Sequence, residues 1–365
     1  MIDDHTHQWP LKFVPLVPES IALDLGQDEA ATVRRRSLAP GRLHLHLLQV
    51  RLARLLDVDI ADAVGARDER ARADWTAWVR TLFDDAGIAG MVLDEPVNEP
   101  RHTDDYAASA GRPVWSMARI DPLVDDLLGE GASAAEIVAS IEKAMADAAA
   151  AGCVAFKTAL AYRTGLEVDP TVDVAAAQRS IDDEQDVPVR RRAKALRDLV
   201  MRTALGRAAD LDKPFQFHTG FGDSDIRLAE SDPLLLEELL RTPEGAAAKV
   251  VLIHGSFPWH ERSAYLASVR GNVWLELSLS NLFAPVGTAD RMLQILDLAP
   301  RDRVLLGSDG HGCPETHWFG CRVLADAWVD VAGRLAGAGA SPTWIDDTRH
   351  ALFEGTARTV YELPG

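Results

Sequence analysis

Short apolar runs recur along the chain, and most of them close on a polar side chain. They lie at 88–93, 113–120, 152–158, 214–218, 249–254, 272–278 and 303–309, with one more at the start, Met1-Ile2-Asp3-Asp4-His5-Thr6-His7. Runs of this length and continuity predict strands buried on both faces. Between them, apolar residues return at helical spacing. Leu43, Leu47, Val50, Leu52, Leu55 and Leu56 predict a helix over 42–64, and Trp75, Trp78, Val79 and Leu82 one over 70–86. Further helices are expected at 133–150, 174–184, 188–209, 233–241, 261–270, 291–298, 322–337 and 343–362. The passage from Gln8 to Glu19 is too rich in proline for regular helix.

Strands alternating with helices predict a parallel sheet covered by helices. With the opening strand there are eight, which favours an α/β fold of the closed (β/α)8 TIM-barrel type, one domain over 1–365. A doubly wound open sheet is the alternative, but no Gly-x-Gly-x-x-Gly follows the first strand. The long gap between the first and second strands is expected to be a helical insertion over 8–86, capping the barrel mouth.

Charge and cysteine usage narrow the partners. Against 38 basic residues stand 56 acidic ones, a net charge of −18, which argues against nucleic acid. Three cysteines, Cys153, Cys313 and Cys321, are too few for a disulfide framework and suit a reducing compartment. No signal peptide and no membrane span is evident, so the cytoplasm is the expected location. A small-molecule substrate is the expected partner, and assembly into a homo-oligomer is compatible with the sequence.

Candidate chemistry sits where the runs end. His5 and His7 share one face of a strand, because strand side chains alternate. Lys157 falls late in the fourth strand, His218 ends the fifth, His254 the sixth and Asp309 the eighth. In a barrel these ends converge on the axis, where imidazole and carboxylate suit Zn²⁺, with Mn²⁺ or Fe²⁺ as substitutes. His44 and His46 repeat the spacing of His5 and His7, but on a helix they point apart and read as structural. His311, Cys313, His317 and Cys321 lack zinc-knot spacing and are expected in the last loop, with His311 facing the pocket.

The set His5-Thr-His7, Lys157, His218, His254 and Ser308-Asp309 resembles the amidohydrolase superfamily of metal-dependent barrels. Phe156-Lys157-Thr158, Ala161-Tyr162-Arg163-Thr164-Gly165, His218-Thr-Gly-Phe-Gly-Asp223 and Leu252-Ile-His254-Gly resemble its amidohydrolase 2 branch. They are especially similar to the domain that precedes a glutamine-synthetase-like domain in FluG-type fusion proteins, a second domain not expected from these residues. The resemblance implies that His5, His7, His218 and Asp309 hold the principal metal. It leaves two readings for Lys157 and His254: a carboxylated Lys157 bridging two ions with His254 on the second, or one ion with His254 facing the substrate.

The expected activity is hydrolysis of an amide-type C–N bond by metal-activated water, on a small substrate such as a γ-glutamyl or other carboxylate-bearing amide. Asp309 would take the proton of the water, and His254 would stabilise the oxyanion. Non-oxidative decarboxylation of an aromatic or unsaturated acid, lactone hydrolysis and a non-enzymatic binding protein are the alternatives. Arg163 and Arg119 could grip a substrate carboxylate or serve ordinary ion pairs. Tyr162, Asp223 and Glu276 are expected near the mouth, with Trp9 and Trp259 as candidate pocket walls.

Overall fold

In the computed structural model, which describes residues 1–21, 23 and 29–364, parallel strands follow one another in sequence order. They are β1 (Ile2–Thr6), β2 (Gly90–Pro96), β3 (Val114–Arg119), β4 (Ala155–Thr158), β5 (Phe215–His218), β6 (Val250–Ile253), β7 (Val273–Leu277) and β8 (Val304–Leu306). The order β1 to β8 in a single sheet, with β8 returning to β1, is the (β/α)8 barrel. Closure rests on short links: Asp309 N–H donates to His5 O at 2.9 Å, and Ser308 donates its N–H and hydroxyl to the Asp3 carboxylate at 2.7 and 2.6 Å.

β2 runs further than the apolar pattern predicts, because Asp94, Glu95 and Pro96 continue in register with Met117, Ala118 and Arg119 of β3. The interior of the barrel is apolar toward its N-terminal end, where Ile2, Val92, Met117 and Val251 meet Val360, Tyr361 and Leu363 from the chain's last turns. Above that plug lies a polar layer. The Gln216 amide donates to the Tyr361 hydroxyl at 2.7 Å, which donates to Asp4 Oδ2 at 3.1 Å.

Several helices differ from their predicted bounds for local reasons. The stretch 42–64 divides: Leu43–Leu56 ends where Asp57 turns left-handed at φ 54°, its N–H bonding back to Ala53 and Arg54. Ala63–Ala73 follows, and Trp75–Asp85 begins at Asp74, whose carboxylate accepts from Ala77 N–H at 2.9 Å. The stretch 233–241 forms two short 3₁₀ turns instead of an α-helix, and it stops at Arg241, where Thr242 before Pro243 is extended. Pro314–Gly337 starts eight residues before the predicted 322, with Pro314 tolerated in its first turn, so His317 and Cys321 are helical rather than in the loop.

The segment between β1 and β2 holds the helices Glu29–Leu38, Leu43–Leu56, Ala63–Ala73 and Trp75–Asp85. Leu45, Leu48, Leu52, Trp78, Val79 and Leu82 from it share one core with Trp318 and Phe319 of the Pro314–Gly337 helix. Residues 22 and 24–28 of the insertion lie outside the described residues. No described helix is long and apolar enough to cross a membrane.

Candidate metal centre

At the C-terminal end of the barrel, side chains on or just past β1, β2, β4, β5, β6 and β8 meet at the floor of a cavity of about 660 Å³. His5 Nε2 and His7 Nε2 each lie 3.2 Å from Asp309 Oδ1. Lys157 Nζ is 3.0 Å from His5 Nε2 and 3.2 Å from Asp94 Oδ2. His254 Nε2 is 3.0 Å from His218 Nδ1. Ligand atoms of His5, His254 and Asp309 lie within 4.8 Å of one another, and so do those of His5, His7 and Asp94.

The backbone is bent to bring these groups together. His254 and Asp309 both adopt left-handed φ, 68° and 52°, in the turns just past their strands. Non-glycine residues hold that conformation at a cost that surrounding contacts must offset, and such sites cluster where function demands them. Gly222 is required by a close approach: a Cβ there would fall 1.8 Å from the Tyr162 hydroxyl. That hydroxyl accepts from the Asp223 N–H at 3.0 Å, and the Tyr162 ring packs edge-on against His218 at 4.6 Å.

The electrostatics suit a cation. Burial, with Lys157 nearby, lowers His5 to about 4 and His218 to about 3, and burial lowers His254 well below the usual range, a direction that favours neutral imidazoles with lone pairs for a cation. Burial opposes the charge on Asp309, but His254, His5 and His7 outweigh it and hold the carboxyl well below its usual range. Burial likewise opposes ionisation of Asp94, and Arg119 and Lys157 overcome it.

The hydrogen-bond directions carry the test further. His218 Nε2 faces the Phe221 carbonyl at 3.2 Å and therefore donates, leaving Nδ1 bare. His254 Nδ1 faces Ser278 Oγ at 2.8 Å, and that hydroxyl donates to Glu276 Oε2 at 2.7 Å, so Nδ1 carries the proton and Nε2 is bare. Two bare nitrogens then face each other at 3.0 Å with no hydrogen between them. Buried Asp309 Oδ1 and both Asp94 oxygens also lack a hydrogen-bond partner. Ligands about 2.1 Å from one ion stand roughly 3 Å apart, which is the spacing found here. The donor set fits a divalent metal, which His5, His7, His218, His254 and Asp309 would hold, with Asp94 and Lys157 on the β2–β4 side.

Asp94 has no place in the sequence expectation. Its signal was the one that marked the others, an apolar run (Met91–Val92–Leu93) ending on a ligand-type side chain at a strand end. The remaining expected residues are placed as follows. Arg119, Tyr162, Arg163, Asp223 and His311 line the cavity. Arg163 gives Nε and Nη2 to one Asp125 oxygen at 3.2 and 2.8 Å, so its guanidinium is engaged by the protein itself. Arg119 Nη1 lies 3.6 Å from Asp94, and its Nε has no partner. His311 donates from Nδ1 to the Asp309 carbonyl at 2.8 Å, leaving an unpartnered Nε2. Glu276 sits fully buried beneath His254 rather than at the mouth. Trp9 packs against Phe83, Tyr106 and His317 as core, and neither it nor Trp259 lines the cavity. His44 is buried against the Ile21 carbonyl at 3.1 Å, and His317 bonds the carbonyls of Cys313 and His7 at 3.1 and 2.9 Å. Among the described residues neither joins a group able to hold a metal.

Comparison with known proteins bears on the fold and the family. The protein fluG of Emericella nidulans is 30% identical over 338 residues, which are 80% of this chain and 38% of that protein. The chain thus spans well under half the length of that relative. Among solved structures, a candidate metal-dependent hydrolase from Lactobacillus casei superposes with a TM-score of 0.85 at 24% identity, covering 99% of this chain and 94% of that one. A uronate isomerase from Thermotoga maritima superposes at 0.66 with 15% identity, over 87% and 78% of the two chains. These two likenesses show a shared fold. The profile of the amidohydrolase family matches residues 2–363, and the chain belongs to that family.

Proposed function

We propose that the protein is a metal-dependent hydrolase that cleaves an amide-type C–N bond in a small, carboxylate-bearing substrate, with zinc as the metal. The observation that carries this reading is the convergence of neutral imidazoles and an ionised Asp309 on the floor of a cavity of about 660 Å³. A divalent ion held by these residues supplies Lewis acidity, polarising a carbonyl and acidifying water.

The chain's own groups supply the rest. Ionised Asp309 is an acceptor for the proton of an attacking water and can return it to a leaving amine. Arg119 reaches the cavity with donors to spare beyond its long contact with Asp94, and so offers a seat for a carboxylate. The unpartnered His311 Nε2 is an acceptor for a substrate N–H or O–H. Leu23, Leu279 and Phe283 form apolar parts of the wall and limit access of bulk water. With three free cysteines, all buried, and no described membrane-crossing helix, the reading sets this enzyme in the cytoplasm.

The test is product analysis on a panel of N-acyl, γ-glutamyl and carboxylate compounds, with Asp309→Asn as control. Release of ammonia or an amine, lost in the control, supports the proposal. Release of CO₂, or of an acid alone from a lactone, or isomerisation without release, overturns the assigned bond.

A further inference from the structure

We propose that Ser278 and Glu276, just past and within β7, are positioning residues that fix the proton of His254 on Nδ1. The Nε2 lone pair is thereby turned to the cavity floor. Neither residue touches the cavity, and both are fully buried. A single oxygen, Glu276 Oε2, receives the His254 backbone N–H at 3.0 Å and the Ser278 hydroxyl at 2.7 Å. One carboxyl oxygen therefore holds both the left-handed backbone of His254 and, through Ser278, its ring.

The direction of the chain follows from the inventory of hydrogens. A serine hydroxyl has one hydrogen, and here it is given to Glu276. The lone pairs of Ser278 Oγ then face His254 Nδ1 at 2.8 Å and can be satisfied only by an N–H from the ring. In a neutral imidazole that leaves Nε2 bare, aimed at His218 Nδ1 and the Asp309 side of the floor. Without Ser278 the ring could carry its proton on Nε2 and bond His218 Nδ1 directly, which would remove two lone pairs from the site. The relay thus keeps His254 and His218 from satisfying each other.

The proposal rests on His254 facing the metal site, but not on which bond the enzyme cleaves. The test is a long-range proton–nitrogen correlation spectrum of metal-free protein labelled with ¹⁵N-histidine, His254 being identified by its absence in His254→Gln. The expected parent spectrum has a protonated Nδ1 and a bare Nε2 for His254. In Ser278→Ala that fixed pattern gives way to exchange between tautomers, and affinity for Zn²⁺ alone falls about 10–100-fold. In Glu276→Gln the amide oxygen can replace Oε2 as acceptor, with the amide nitrogen in place of Oε1 on the side of Gly307 where the unpartnered Asp4 Oδ1 also lies, so the parent pattern is retained. A parent spectrum with the proton on Nε2 overturns the proposal whatever the variants do. So does a folded Ser278→Ala with the parent's pattern and Zn²⁺ affinity. Failure to find an amide substrate would leave these spectra unchanged, which separates the two claims.

Discussion

Asp309 serves two partners at once. Its carboxylate lies 3.2 Å from both His5 and His7, while its backbone N–H closes the barrel onto His5 O. Asp309→Asn keeps the shape and removes the base. Turnover should fall about 10²–10⁴-fold, whereas bound zinc, counted by elemental analysis, should persist at least in part. Undiminished turnover would contradict the proton-transfer role. Asp94 is the other carboxylate whose environment is decisive, since among the described residues it is the one that pairs with Lys157, at 3.2 Å. Asp94→Asn leaves a buried ammonium without its counter-charge, and should cost about 3–5 kcal/mol of stability in urea unfolding of the metal-free protein. The residue scale is also where the sequence is least explicit. His5, His7, His218, His254 and Asp309 declare themselves because each ends an apolar run. Asp94 does so too, but its strand continues through Glu95 and Pro96, and hides the end behind residues atypical of a strand. Ser278 gives no signal at all, since its role depends on the directions of two hydrogen bonds.

Among the elements, β1 and β8 bear most on the site, because their junction sets the distance between the opening histidines and Asp309. Asp3 makes that junction by accepting two bonds from Ser308. Asp3→Ala leaves the Ser308 donors buried and unpaired, and should lower the unfolding free energy by about 2–4 kcal/mol, read from the denaturant midpoint. The loop after β5 is held by the fit of Gly222 against Tyr162. Gly222→Ala should push Tyr162 off His218 and raise KM more than it changes overall stability, a split that steady-state kinetics with a thermal melt resolves. The strands were legible because fully buried runs are both short and apolar. Helix ends were less so. Asp57 breaks the stretch 42–64 through a left-handed cap that no apolar spacing announces. The Pro314–Gly337 helix begins amid His317 and Cys321, residues that suggest a loop by type and are buried by packing.

For the whole molecule, the net charge of −18 does not carry over to the cavity, where Arg119, Lys157, Arg163 and Arg190 stand beside Asp223, Asp225 and Asp309. Composition therefore argues against nucleic acid without describing the site, because a concave floor concentrates its own charges. The barrel itself followed from counting strands. What the chain order could not reveal is how the insertion between β1 and β2 meets the cavity, since it packs chiefly against the Pro314–Gly337 helix and reaches the wall through Leu23. A metal that binds only the folded barrel must also stabilise it. Chelation should abolish activity and lower the melting temperature, and added Zn²⁺ should restore both.

The most direct measurement is anomalous diffraction at the zinc edge from crystals of the purified protein supplied with Zn²⁺. The account predicts a peak within coordination distance of His5, His7, His218 and Asp309, with His254 Nε2 turned toward it. A map with no anomalous peak among these side chains, from protein that is folded and active, would contradict it.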